Sequence, residues 1–166
     1  MIACLDVHYD GDLAHAAAVV FADWTSTATV AQYTATVSVP AEYEPGRFYL
    51  RELPPLLAVI KNIVQHIDTY VIDGYCHLSP DMAPRLGAHL KESVAPAATI
   101  IGVAKNRYRD SGHAFELLRG QSKRALFITA IGIDYKSAAQ HVASMAGDSR
   151  IPTLLHAVDR LSRGGR

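Results

Sequence analysis

The chain has only two cysteines, Cys4 and Cys76, in 166 residues, too few for a disulfide framework. It has no net charge, its 16 basic side chains being matched by 16 acidic ones. That balance excludes a global basic field that would draw in nucleic acid from a distance. No apolar run reaches the ~18 residues of a membrane span, and no charged leader with a cleavage site precedes the first strand pattern. A cytoplasmic protein with no membrane partner is expected. Neither glycine-rich nucleotide fingerprint occurs, so a P-loop or Rossmann reading has no support. Eight histidines and the two cysteines show no paired ligand spacing, which argues against zinc.

What the sequence does contain begins at once. Ile2, Ala3, Cys4, Leu5 and Val7 form an apolar run dense enough for a strand buried on both faces, the kind found at the centre of an α/β sheet. Asp6 stands inside that run. A carboxylate there is costly unless it is paired or coordinates a metal. The same oddity returns at Asp73, in YVIDGY.

The chain is long enough for one domain with a proper core, spanning 1–166. Asp10-Gly11-Asp12 marks a turn, and 14–21 and 29–39 are two further strands, the second alternating as an edge or half-buried strand does. Glu52 stands at the threshold of a helix that should run to about Gln65, with Pro54 and Pro55 in its first turn. Strands follow at 69–72, 99–103 and 125–129, with a broken or helical segment at 82–92 between the first two. Asp134 should cap a helix reaching about Met145, and a last helix starts near Pro152. Three antiparallel strands, a helix and then parallel strands predict a mixed-sheet α/β domain. That order is the one of ribonuclease H-like folds, where the first and fourth strands lie side by side. Asp6 and Asp73 would then be neighbours, and the helix starting at Glu52 could bring a third carboxylate over them.

Convergent carboxylates are hard oxygen ligands suited to Mg²⁺ or Mn²⁺, ions that share their shell with phosphate oxygens. Two such ions about 4 Å apart can activate a water and stabilise the leaving oxygen of a phosphodiester.

Several segments in order resemble one family. YEPGRFYLRE (Tyr43 to Glu52) resembles the Tyr-x-Pro-Gly-x-x-x-x-Arg-Glu motif of endonuclease V. CLDVHY resembles that family's first strand, VIDGY its Val-Asp-Gly strand, and RLGAHL (Arg85 to Leu90) its Arg-x-x-Gly-x-Ala-x-His-Leu segment in shortened form. IIGVAKNRY resembles its Gly-Val-Ala-Lys strand, and RIPTLLHAVD (Arg150 to Asp159) its closing Arg-x-Pro segment. The chain is similar to a divergent, short member.

The resemblance implies a metal-dependent endonuclease cutting DNA or RNA near a deaminated base (deoxyinosine or inosine), in the manner of DNA repair, with Mg²⁺ or Mn²⁺ as cofactor. Asp6, Glu52 and Asp73 would be catalytic metal ligands, with Asp159 completing the metal site. Lys105 would lie beside the scissile phosphate. Tyr43 would be the aromatic wedge beside the target base, Gly46 would lie in the same loop, and Gly74 would line the base pocket.

The sequence also departs from the family. Glu42 stands before the wedge, the Asp-Gly-x-Gly turn becomes Asp73-Gly74-Tyr75-Cys76, and the Ser-Pro-Gly-His turn is replaced by Thr129-Ala130-Ile131-Gly132. Tyr75 is expected to narrow the base pocket, which favours single-stranded or mismatched substrates over paired inosine. The alternatives are a homologue that binds nucleic acid without cutting it, and a related nuclease acting on RNA or on branched or single-stranded DNA. The sequence sets no oligomeric state.

Overall fold

Strand β1, Ile2–Asp10, is buried from Ile2 to Leu5 and half-exposed from Asp6 onward. It pairs antiparallel with β2, Leu13–Phe21, through a turn in which Gly11 takes a φ of 56°. In β3, Ala31–Ser38, half-buried and exposed residues alternate, and the strand pairs antiparallel with β2 at the sheet's edge. β4, Thr69–Asp73, lies parallel on the other side of β1, and β5, Thr99–Ala104, lies parallel beside β4. β7, Leu126–Ile131, runs antiparallel to β5 and carries the three-residue β6, Phe115–Leu117, at the far edge. The order is β3-β2-β1-β4-β5-β7-β6, a mixed sheet of the ribonuclease H-like kind with the first and fourth strands side by side. The computed structural model describes residues 1–39, 49–78, 84–94, 97–108 and 112–165.

Alternation along β1 divides the core in two. Ile2 and Cys4 face a layer closed by α3, Tyr135–Ser144, and α4, Thr153–Ser162. Ala3 and Leu5 face the opposite layer, closed by α1, Tyr49–Ile60, and α2, Leu86–Val94. Asp134 caps α3 as expected, its carboxylate accepting from Ser137 N at 2.9 Å. α4 has no side-chain cap. Packing holds it instead, through the buried Leu154 and Val158, each contributing about 2 kcal/mol.

Three expectations need correction. Pro54 and Pro55 lie inside α1 rather than in its first turn. Each removes an N–H that would have bonded four residues back, so the carbonyls of Leu50 and Arg51 lose their helical partners. The helix also stops at Ile60, short of Gln65. β7 is antiparallel to β5 where a parallel strand was expected. A parallel return needs a long crossover, usually a helix, and the described residues between β5 and β7 contain β6 but no helix. The segment at 82–92 is helical from Leu86 only, and residues 79–83 lie outside the described residues. No helix among the described residues is long and apolar enough to cross a membrane.

Candidate active site

Strand register sets two acids level. β1 and β4 pair in parallel with Leu5 opposite Ile72, and Asp6 and Asp73 are the next residue on each. Side chains on neighbouring parallel strands at one level share a face. The next strand ends in Ala104, and Lys105 follows it. Its ammonium meets Asp73 Oδ2 at 2.5 Å. Gly102, one turn of the pleat earlier, is required by packing: a Cβ there would stand 2.5 Å from the Gly74 carbonyl oxygen and 2.8 Å from Thr129 Oγ1. That close approach draws the ends of β4 and β5 together.

The two helical layers add the remaining groups. Glu52, in the first turn of α1, comes from one side of the sheet, and Asp159 on α4 comes from the other. Asp6, Glu52, Asp73, Lys105 and Asp159 all line one cleft of about 160 Å³, together with Arg163. Tyr43 and Gly46 lie outside the described residues.

The electrostatics are those of acids crowded together with too little counter-charge. Burial pushes the Glu52 carboxyl up to about 8, and the nearby charges of Asp73 and Asp6 push the same way. Burial also raises Asp6. The Ser162 hydroxyl pulls it back by donating at 2.6 Å, while Asp73 and Asp159 repel and Lys105 attracts. At Lys105 burial works against the charge, but the bond to Asp73 and the attraction of Asp73, Asp159 and Asp6 together hold its ammonium above the usual range. Arg163 makes two contacts with Asp159, 3.2 Å from Nε and 3.3 Å from Nη2.

The donors are of the type a hard divalent ion takes, and a group like Glu52, protonated near neutrality for want of positive charge, is one such an ion would ionise. As placed, Asp73 is bonded to Lys105 and Asp6 to Ser162, and no three His, Cys, Asp or Glu among the described residues are close enough to hold one ion.

Known proteins share this chain's sequence pattern and fold. The sequence profile of the Endonuclease V family matches residues 1–131. The chain belongs to the endonuclease V family of nucleases. It is 32% identical over 181 aligned positions to Endonuclease V of Streptomyces avermitilis, covering 96% of this chain and 77% of that one. Among solved structures, a crystal structure of Endonuclease V from Streptomyces avermitilis superposes with a TM-score of 0.77 at 25% identity, over 98% of this chain and 79% of that one. Endonuclease V from Bacillus subtilis has the same fold, with a TM-score of 0.78 at 16% identity over 98% and 78% of the two chains.

Within this endonuclease V family chain, the turn after β4 shows how the departures are accommodated. Gly74 takes a φ of 136°, a backbone state that glycine alone adopts readily. Tyr75 lines neither the carboxylate cleft nor the recess next to it. Its hydroxyl donates to the Asn106 carbonyl at 2.8 Å and accepts from Tyr108 N at 3.2 Å, and its ring packs with Ala104, Ala114 and Phe127. Cys76 is fully buried, its N–H donating to Thr129 Oγ1 at 2.9 Å. It lies so near α2 that a Cβ on Gly87 would meet its Sγ at 2.5 Å.

Sequence reasoning missed two residues. Ser162 repeats four positions after Val158, on the stripe Leu154, Val158, Ser162 that α4 turns to the sheet. A hydroxyl among apolar residues at helical spacing is the signal, and its partner is Asp6. Arg150, quoted only as part of a motif, bonds through its guanidinium to the carbonyls of Lys105 and Ala125. It thereby ties the cleft end of β5 to the entry of β7. Among the histidines, His89 stacks on Tyr49 at 3.8 Å, His77 is buried with its Nδ1 lacking a hydrogen-bond partner, and His156 is exposed.

Proposed function

We propose that this chain is a Mg²⁺- or Mn²⁺-dependent endonuclease that hydrolyses phosphodiester bonds in DNA or RNA near a deaminated base, with the single-stranded or mismatched form as its better substrate. The observation that supports it most is Glu52, half-buried between Asp6 and Asp73 and pushed up to about 8 by burial and by their charges. Acids so placed in a cleft are characteristic of a site built for a cation and a phosphate.

In this reading Asp6, Glu52 and Asp73 would hold the ion, with Asp159 beside them. Such an ion would supply Lewis acidity for activating a water and for the charge on the departing oxygen. Lys105, already charged and fixed by Arg150 through its backbone, leaves Asp73 for the scissile phosphate and orients it. Ser162 keeps Asp6 ionised and aimed into the cleft. Tyr43 acts as the wedge beside the target base, with Gly46 in its loop, and the backbone at Gly74 lines the base pocket. Cleavage leaves a 5′-phosphate and a 3′-hydroxyl.

The second reading, a homologue that binds nucleic acid without cutting it, is favoured by one observation: the Lys105–Asp73 pair already neutralises one of the acids. Matched DNA and RNA strands, with and without a single inosine, assayed with and without Mg²⁺, separate the two. Metal-dependent product that vanishes with chelator supports the nuclease. Affinity without product at any metal concentration supports the binder.

A further inference from the structure

Beside the carboxylate cleft a second recess, of about 230 Å³, opens between the sheet end and α4. The two share Asp6, Asp73, Lys105 and Asp159, so they are continuous across the acids. Their walls differ in kind. Besides the shared acids and Lys105, the second is lined by Leu5, Val103, Ile151, Leu155 and Val158, together with Arg150 and His156. Leu5, Val103 and Val158 are buried core residues, whereas Ile151 and Leu155 are half-buried and present free apolar surface.

Its chemistry matches one occupant. A nucleotide carries a flat, largely apolar base a few ångströms from a charged phosphate. Here an apolar recess opens a side chain's length from the acids and from Lys105. A base leaving its stack needs a new apolar surface, and the apolar walls of this recess offer one. A second phosphate faces carboxylates at the mouth, and of the two other polar side chains on these walls Arg150 is already bonded to two backbone carbonyls, leaving the exposed His156. An added peptide strand has no edge to pair with, because β1, β4 and β5 are each paired on both sides. The recess is also preformed: Arg150 at its border is bonded to the carbonyls of Lys105 and Ala125, so little ordering is needed on binding.

We propose that this recess is a nucleobase subsite. It receives the base of a nucleotide adjoining the scissile phosphate, and it is distinct from the turn at Gly74, which lines neither recess. The assignment rests on the nuclease reading for its neighbour, the scissile phosphate, but its own contacts can be tested without cleavage.

The test compares inosine and adenosine 5′-monophosphates with ribose 5-phosphate, titrated into the protein with Mg²⁺ and followed by methyl NMR. The nucleotides should shift the methyls of Val103, Ile151, Leu155 and Val158, and ribose 5-phosphate should not. Leu155→Trp, which fills the recess, should weaken nucleotide binding at least fivefold and leave ribose 5-phosphate unchanged, and Leu155→Phe should do so to a smaller degree. The wild-type arm stands even where a variant folds poorly. Shifts identical for nucleotide and sugar phosphate, or base-dependent shifts confined to other residues, overturn the subsite. Cleavage assayed on the same preparation separates the two ideas. Cleavage without base-dependent shifts sinks the subsite and keeps the nuclease, and base-dependent shifts without cleavage keep the base site and sink the nuclease.

Discussion

Ser162 donates its hydroxyl to Asp6 Oδ2 at 2.6 Å, and the two residues are 156 positions apart. The bond favours the ionised form of an acid that burial pushes the other way. Ser162→Ala therefore raises the Asp6 pKa further. The acid limb of the pH–rate profile should move to higher pH, with activity near pH 6 falling about tenfold and recovering on the alkaline side. A uniform loss at every pH would show that Ser162 only packs.

Asp73→Asn removes a charge and almost no volume. Its partner Lys105 is 40% exposed and Asp73 itself 39%, and a pair so open to water contributes at most about 1 kcal/mol to stability. The variant should melt within a few degrees of the wild type and lose more than about a hundredfold in cleavage rate. Full activity would remove Asp73 from the site.

Glu52 ties stability to pH. Its carboxyl stands near 8 in the folded chain against an ordinary 4.5. Between those values the folded chain keeps a proton that the unfolded chain has released, so this group's contribution falls as pH rises towards and through 8. The group is partly open to solvent, so the loss is about 2 kcal/mol, less than the shift alone implies. Glu52→Gln should remove that slope, leaving a melting temperature at pH 9 about 5 °C above the wild type's. Mg²⁺ should flatten the wild-type curve and leave that of the variant unchanged. Parallel melting curves for the two proteins across pH 5 to 9 would contradict the assignment.

Tyr43 is read as the wedge of the same nuclease. Taking a base out of a duplex costs a few kcal/mol and less where pairing is already weak. Tyr43→Ala should therefore cost at least about tenfold on duplexes and little on single strands, measured as cleavage of one sequence in both forms. Equal losses on both would make it a packing residue.

Asp6 and Asp73 were legible in the sequence because a charge inside an apolar strand is energetically conspicuous, whereas Glu52 was placed by a helix start and Asp159 by the family resemblance alone; the topology that brings β1 beside β4 followed from the order of strands and helices. Other features carried no such mark. Alternation records which face of β7 is buried, not the direction in which it runs. β6 is three residues long and half open to water, so it has no burial pattern to read. The proline pair was assigned to a first turn because that is where proline is least costly, yet α1 begins early enough to place both rings in its second turn. Ser162 is one hydroxyl on a helix stripe, and only the folded chain shows that the stripe ends on Asp6. The hydroxyl of Tyr75, read from sequence as narrowing the base pocket, is bonded to the backbone of residues 106 and 108, contacts that no sequence pattern announces.

The span between Asp6 and Ser162 has a consequence for how this protein becomes active. β1 supplies the first acid, and α4 supplies both Asp159 and the hydroxyl that tunes Asp6. A nascent chain emerging from the ribosome can therefore form its sheet while α4 is still inside the exit tunnel, and at that stage the cleft lacks one wall. Loop closure over so long a separation comes late in folding. The Asp6 end of the cleft is therefore assembled only when α4 docks against β1.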